Sequence, residues 1–324
     1  MTDSLVLLDH SADGTLRPPV RELVTIARGL GGAIHGVWAV DGAEPDAQTL
    51  ADLGALGVSR VHRLSADGDL HVSAVLAEAV ASLLDATGAG ALLTTSTFEN
   101  KEVAARLAVL AGAGVVTDAD GLVLEDGRLM ASKTVFAGTW NTRCAVTSAL
   151  AVVTFKANSV AVSPAEAPGT PDVVDHAVTV SAGARRVSLV ERTERPASGR
   201  PDLGSAHVVV AGGRGTEGDF TLVEELADVL GGAVGATRVA TDEGWIGHDA
   251  QIGQTGVTIS PRLYIGVGVS GAVHHRGGMQ ASGTIVAVNS DPDAPIFEIA
   301  DFGIVGDLNA VLPQLTSELR RLKG

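Results

Sequence analysis

Three short stretches hold most of the side chains able to do chemistry. "GRGTEG" (213–218) sets Arg214 among glycines, "QIGQTG" (251–256) offers Gln254 and Thr255 between glycines, and "SGAVHH" (270–275) closes an apolar run with Ser270, Gly271, Ala272, Val273, His274 and His275. Glycines let a backbone approach an anion, and a helix start presents free N–H groups to it. Ser270 reads as the N-cap of such a helix, and Arg214 as a direct ligand for phosphate. A metal site, a catalytic base and an anion cradle all fit two adjacent histidines at first sight. Neighbouring helical residues diverge by about 100°, so His274 and His275 do not share one metal. A cradle for a nucleotide remains, and so does the plainer alternative that small residues merely let a helix pack closely on a sheet.

The first stretch formally satisfies G-x-G-x-x-G between a strand and a helix. A nicotinamide fingerprint also needs an acidic residue about 20 positions on, to meet the ribose hydroxyls. Glu224 falls inside the following helix, and Asp242 follows a stretch bearing Arg238, so an NAD-dependent dehydrogenase stays open only as an alternative. "DFG" (301–303) has no Gly-rich loop far upstream and no His-Arg-Asp to make a kinase of it, and a Gly-x-Ser-x-Gly elbow is absent.

These stretches need elements to hold them. Up to about residue 114 strand-like and helical runs alternate: "SLVLLD", "VRELVTIARGL" with Val20, Leu23, Val24 and Ala27 on one face, "AIHGVWAV", "PDAQTLADLGALG", "RVHRL", "LHVSAVLAEAVASLLDATG", "GALLTTS" and "KEVAARLAVLAGAG". That order reads as βαβ units and a mostly parallel sheet. Consecutive strand-like runs follow ("RLMASKTVFAG", "SALAVVTFK", "HAVTVSAGARRVSLVERT"), which the pattern adds as antiparallel strands at the sheet edge, giving a mixed sheet. "ERPASGRPDLGSAH" is a linker by its prolines and glycines. The chain then restarts: "HVVVAGG", "LYIGVGV", "TIVAVN" and "IFEIA" as strands, "DFTLVEELADVLGG" as a helix, "GAVHHRGG" as a short helix and "DLNAVLPQLTSELRRL" as a final helix that Pro313 kinks or begins. The reading is α/β: an N-terminal nucleotide-binding-like domain over 1–194, a linker over 195–204, and a doubly wound parallel-sheet domain over 205–324.

Composition narrows the classes. The chain has 324 residues, 45% apolar, with 40 glycines and a formal charge of −15. Length suits two domains, and the charge argues against a nucleic-acid partner, which would need a basic face. No apolar run reaches the roughly 18 to 20 residues of a membrane span, so no membrane insertion is expected. The acidic start "MTDSLVLLD" lacks the order of a signal or transit peptide, so the mature chain is expected to begin at Met1. A lone cysteine, Cys144, forms no intrachain disulfide and no Cys-x-x-Cys, which fits a reducing cytoplasm.

Taken together, Gly212 to Gly215, Thr237–Arg238, "QIGQTG", "LYIGVGVSGAVHHRGGM" and "TIVAVNSDPDAPIFEIADFGIVGDL" resemble the α subunit of electron-transfer flavoprotein. The resemblance covers the whole chain and is carried by its C-terminal third. In the N-terminal domain the match is looser, resting on stretches such as "SLVLLDHSADGTL" and "ASKTVFAG". It implies an electron carrier without substrate chemistry of its own, with FAD in the second domain. It also implies a heterodimer whose β subunit, contacted by the N-terminal domain, holds an AMP. Electrons would come from flavin dehydrogenases, notably acyl-CoA dehydrogenases of fatty acid β-oxidation, and go to a quinone oxidoreductase, in a bacterial cytoplasm. By matching positions, Arg214, Thr237 and the segment Ser270, Gly271, Ala272, Val273, His274, His275 contact the diphosphate and ribityl chain. Asn289, Asp307 and Leu308 hold the adenosine end. Arg238, Gln254, Thr255 and His275 lie around the isoalloxazine ring, and Ile252 and Gly253 are counted among the cofactor-binding residues. The family's usual Gln-His is His274–His275 here, and Thr237 keeps the hydroxyl of a common serine.

Chemistry agrees with that placement. A diphosphate docking on an acidic chain needs local positive groups, and Arg214 supplies one, a charge-assisted bond being worth roughly 1.5–3 kcal/mol. One-electron reduction of a flavin places negative charge near N1 and the C2 carbonyl, which Arg238 or a protonated His275 would stabilise, while the Thr255 hydroxyl meets N5. Two rivals to the simple carrier are a bifurcating type with a second FAD in the β subunit, and a non-redox adenine-nucleotide-binding module.

Overall fold

The computed structural model describes residues 1–40, 42–136, 138–192 and 199–323. The fold is α/β, in two units: Met1–Lys133 with Asn141–Glu194, and Thr134–Trp140 with Arg195–Gly324. Of the expected linker, 195–198 lie outside the described residues, as does Ala137 of "ASKTVFAG".

The first unit runs β1 (Thr2–Leu7), α1 (Pro19–Arg28), β2 (Gly31–Ala39), α2 (Ala47–Leu56), β3 (Arg60–Ala66), α3 (Ser73–Thr87), β4 (Ala91–Thr95), α4 (Phe98–Ala111), β5 (Gly114–Ala119), β6 (Gly121–Glu125), β7 (Arg128–Val135), β8 (Trp140–Ala145), β9 (Ala151–Phe155) and β10 (Asp172–Val178). Val20, Leu23, Val24 and Ala27 are all buried against the sheet, as their spacing on α1 requires. The helices cover both faces: α1 and α2 share one core with Val6 and Val61, while α3 and α4 share the other with Leu5 and Leu64.

One expectation is corrected here. The strands after residue 114 do not extend the sheet edge antiparallel. Seven strands form one parallel sheet in the order β10-β3-β2-β1-β4-β9-β5. β9 inserts parallel between β4 and β5, and β10 pairs parallel with β3. A separate three-stranded sheet, β6-β7-β8, holds the antiparallel pair β6 and β7. The physical reason is burial: β9 is "AVVTF", buried at all five positions, and only an interior strand of a sheet covered on both faces takes such a run.

The second unit runs β11 (Val208–Gly212), α5 (Thr221–Leu230), β12 (Ala233–Ala236), α6 (Arg238–Asp242), β13 (Leu263–Val267), α7 (Val273–Met279), β14 (Thr284–Asn289), β15 (Phe302–Val305) and α8 (Leu308–Lys323). Its five strands are all parallel, ordered β12-β11-β13-β14-β15. Residues alternate along β13: Ile265 and Val267 join the core under α5 and α8, and Tyr264 joins the core under α7. "IFEIA" is not a strand. Pro295–Glu298 is a 3-10 turn, because Pro295 fixes its start and Ile296 tucks against Gly271. The edge strand is instead β15, four exposed residues. Pro313 does not start the last helix, which begins at Leu308 and carries the proline inside it.

Candidate functional site

Sheet register decides where the chemistry-bearing stretches meet. Gly212 pairs with Ala236 on one side and Val267 on the other, and Val267 pairs with Val288. These four residues form a row at the carboxyl end of the sheet. Just past it lie Thr237, Gly213 with Arg214, Gly268 to Ser270, and Asn289. Asn289 pairs in turn with Val305, so Asp307 and Leu308 stand at the same end. The order β12-β11-β13 reverses direction between β11 and β13, and in open parallel sheets ligands sit outside the carboxyl ends at that reversal.

The two loops at the reversal are pressed together. Gly215 N–H donates to the Gly268 carbonyl at 3.1 Å, and Gly213 N–H donates to that of Val267 at 2.9 Å. A Cβ on Gly213 would stand 2.3 Å from the Gly268 oxygen, so only glycine permits the approach. The glycines of "GRGTEG" therefore serve loop-to-loop packing here. Arg214–Thr216 form a 3-10 turn, and α5 begins only at Thr221, so the loop is not the tight strand-to-helix turn of a nicotinamide fingerprint.

Ser270 is not an N-cap, which corrects the sequence reading. Gly271 adopts φ +84°, a left-handed conformation that no helix start tolerates, and α7 begins at Val273 behind Ala272. The Ser270 carbonyl accepts from Ile296 N–H at 3.0 Å. Ser270, Ala272, Val273 and His274 are exposed on this turn, and Gly271 is buried.

Around it stand the charged and polar groups. Arg214 is exposed at the tip of its loop. Arg238 heads α6 and pairs with Asp242 at 3.1 Å, one helical turn away, so its charge is partly offset. Thr237 precedes α6 with its backbone N–H on the Gly212 carbonyl at 3.0 Å. Its hydroxyl is buried and has no hydrogen-bond partner among the described residues. Asn289 donates from Nδ2 to the Val269 carbonyl at 2.9 Å and accepts from Asp291 N–H at 3.0 Å. Asp307 accepts from Asn309 N–H at 2.9 Å, at the start of α8.

His275 carries the second correction. It is 5% exposed, with Nδ1 3.1 Å from the Ile252 carbonyl and Nε2 2.7 Å from the Tyr264 hydroxyl. A carbonyl only accepts, so Nδ1 bears the proton and Nε2 accepts from the phenol. Burial lowers the imidazole pKa to about 4. His275 is thus neutral at pH 7, with both nitrogens engaged, and does not supply the cation expected of it. His274, its exposed neighbour, faces Gln254 at 3.0 Å, and Gln254 N–H donates to the His274 carbonyl at 3.0 Å. "QIGQTG" is thereby fastened to α7, with Ile252 and Gly253 buried and Gln254 and Thr255 exposed.

Three residues that sequence reasoning passed over support this arrangement: Tyr264, Gln251 and Thr241. Tyr264 and Thr241 look like ordinary members of a strand and a short helix. Their only signal is a polar atom at a position that spacing places in the core.

The comparisons fit this geometry. A model described as "Electron transfer flavoprotein FAD-binding domain" matches residues 202–280, and one described as "Electron transfer flavoprotein domain" matches 4–181. Electron transfer flavoprotein subunit alpha of Mycobacterium leprae is 39% identical, covering 100% of both chains. That of Syntrophomonas wolfei is 36% identical over 95% of this chain and 96% of its own. A probable mitochondrial α subunit of Cryptococcus neoformans is 34% identical over 100% of this chain and 93% of its own.

The chain belongs to the electron transfer flavoprotein α-subunit family. The family's FAD-binding domain spans β11 to α7 and so contains the pressed loops, Thr237, Arg238, "QIGQTG" and the turn at Ser270. Asn289, Asp307 and Leu308 lie beyond that match, at the same sheet end. An FAD fits what is built here. The Thr237 hydroxyl, the exposed Arg214 and the glycine-lined loops at the strand reversal are groups of the kind that pair with phosphate oxygens. Among the described residues no helix is long and apolar enough to cross a membrane, and no cluster of three or more His, Cys, Asp or Glu is placed to hold a metal.

Proposed function

We propose that the chain is the FAD-holding α subunit of a heterodimeric electron carrier. It would take electrons from flavin dehydrogenases such as acyl-CoA dehydrogenases and deliver them to a quinone oxidoreductase. A β subunit holding AMP completes the heterodimer, and a bacterial cytoplasm is the proposed location. The observation that carries this is the buried, partnerless Thr237 hydroxyl beside an exposed Arg214 at the β11/β13 reversal. A site with a desolvated donor and a nearby cation is shaped for an anion that completes both.

In this reading Arg214, Thr237 and the turn from Ser270 through Gly271, Ala272 and Val273 to His274 hold the diphosphate and ribityl chain. Asn289, Asp307 and Leu308 hold the adenosine end. Arg238, Ile252, Gly253, Gln254 and Thr255 border the isoalloxazine ring, with His275 behind them. The bound flavin supplies the capacity to accept and release electrons singly. This chain supplies the rest: Arg214 offsets diphosphate charge, Arg238 sets a cation beside the ring, and Thr255 offers a hydroxyl at its edge. No bond to a substrate is made, so no general base is needed. The domains proposed are 1–194, with β-subunit contacts, and 205–324, with FAD, joined by a linker at 195–204.

The test is a visible spectrum of the chain co-expressed with its β subunit, followed by stepwise photoreduction. A yellow complex with one flavin that reduces in two one-electron steps supports the carrier. Two flavins per heterodimer would mean a bifurcating type instead. A colourless complex that binds only adenine nucleotide would overturn the redox reading.

A further inference from the structure

In the first unit, the chain leaving β9 turns three successive backbone N–H groups toward one side chain of α1. Asn158 N–H donates to Oε1 of Glu22 at 3.0 Å and Ser159 N–H to Oε2 at 2.8 Å, with Val160 N–H on Oε2 at a longer 3.4 Å. Along an extended strand neighbouring residues point to opposite sides. Here Asn158 takes a left-handed conformation, φ +61°, which lets successive N–H groups line one concavity, a backbone nest of the kind that binds anions. Glu22 is 7% exposed, so its carboxylate lies in that concavity away from water, where a charge must be hydrogen-bonded. β9 pairs on both sides in a parallel sheet, so the nest stands past the carboxyl end of an interior strand, the end at which such sheets hold ligands. Further along the same segment Arg28 donates to the Ser163 carbonyl at 3.0 Å and to its hydroxyl oxygen at 2.6 Å. The segment is therefore fastened to α1 at its far end without help from Glu22.

We propose that Glu22 is a built-in oxyanion, whose carboxylate fills an anion seat of the first unit and closes it to anions from solution. The first two N–H groups meet one oxygen each, which is the pattern of a planar carboxylate. Small carboxylates, formate foremost, are thus the class that the seat takes once the Glu22 side chain is cut back. The seat lies in the first unit and does not depend on the flavin reading.

The experiment is amide hydrogen exchange at Asn158, Ser159 and Val160 in the full chain, native or carrying Glu22→Ala or Glu22→Gln, in chloride and in formate at equal ionic strength. Bonds to a charged acceptor should slow this exchange roughly 10- to 100-fold in the native chain. Glu22→Ala should lose that protection, and formate should restore it along a saturating curve. The native amides should respond neither to formate nor to inorganic phosphate. Protection that survives Glu22→Ala overturns the proposal, and so does a loss that formate leaves unrepaired, which reduces Glu22 to a strap like Arg28. A native chain whose three amides respond to phosphate has an open seat and contradicts the closure. Should Glu22→Ala fail to fold, Glu22→Gln decides, because glutamine reaches as far without the charge. Full protection there means a neutral strap and overturns the anion seat, whereas its loss supports it.

Discussion

The Tyr264 phenol donates to Nε2 of His275 across 2.7 Å, between a strand in the middle of the sheet and a helix on its face. Tyr264 is fully buried, which pushes its pKa up and keeps the phenol a donor. Burial keeps this histidine neutral, and the pair satisfies its second nitrogen. His275 spends both nitrogens holding Tyr264 and the Ile252 carbonyl, and so ties α7 to the loop that carries Thr255.

Tyr264→Phe removes the phenol and strands a buried imidazole nitrogen. Leaving a buried polar atom unpaired costs about 1–3 kcal/mol. Urea unfolding should show that loss. His275→Leu in the same background should return part of it, because the orphan goes with the histidine. A phenylalanine variant as stable as the native chain would mean that the bond contributes nothing.

Thr237→Val makes the opposite case. Its hydroxyl is already buried without a partner, so removing it from the apo chain relieves an unpaired group and leaves stability equal or higher. FAD affinity, read by fluorescence titration, should fall by roughly 3- to 10-fold, the worth of one hydrogen bond. A variant that loses apo stability would point to a structural bond for this hydroxyl.

Most of the fold was legible because burial writes a period into the sequence. The face of α1 and the strands β11, β13 and β14 follow from it. The order of strands was not legible, because β9 reads as a strand whichever neighbour it takes, and only packing chooses β4 and β5. The site's residue types were visible as Gly-punctuated loops, and register brings them to one end of the sheet. Their protonation and hydrogen bonding were not visible. Whether His275 is charged depends on how deeply packing buries it, and whether Ser270 caps a helix depends on one left-handed glycine.

Gly213→Ala tests the pressed loops. The added methyl would fall 2.3 Å from the Gly268 oxygen, against backbone that has no rotamer to change. Overpacking of this kind costs typically about 1–3 kcal/mol, and here it separates the ends of β11 and β13. Both unfolding midpoint and FAD affinity should drop. Retained affinity in a destabilised variant would place the ligand away from this reversal.

Acid response separates the buried histidines from the rest. His62 lies 5% exposed on β3, with its Nε2 3.1 Å from Nδ1 of His35. Burial first, then the neighbouring His35, lowers its pKa from 6.5 to about 4, and burial does the same for His275. His35 shifts downward too, again chiefly through burial. A folded pKa below the unfolded one means that the unfolded chain binds the proton first. Stability is therefore unaffected by these groups above pH 6.5 and falls as pH drops from 6.5 towards 4. Each such histidine adds a slope of up to about 1.4 kcal/mol per pH unit. Unfolding free energies measured between pH 7 and 5 should decline accordingly, and His62→Asn should flatten the decline for the first unit while leaving the second unchanged. Nitrogen NMR should find His62 and His275 neutral at pH 5.5. A charged imidazole at either position at that pH would contradict the hydrogen bonding assigned to it.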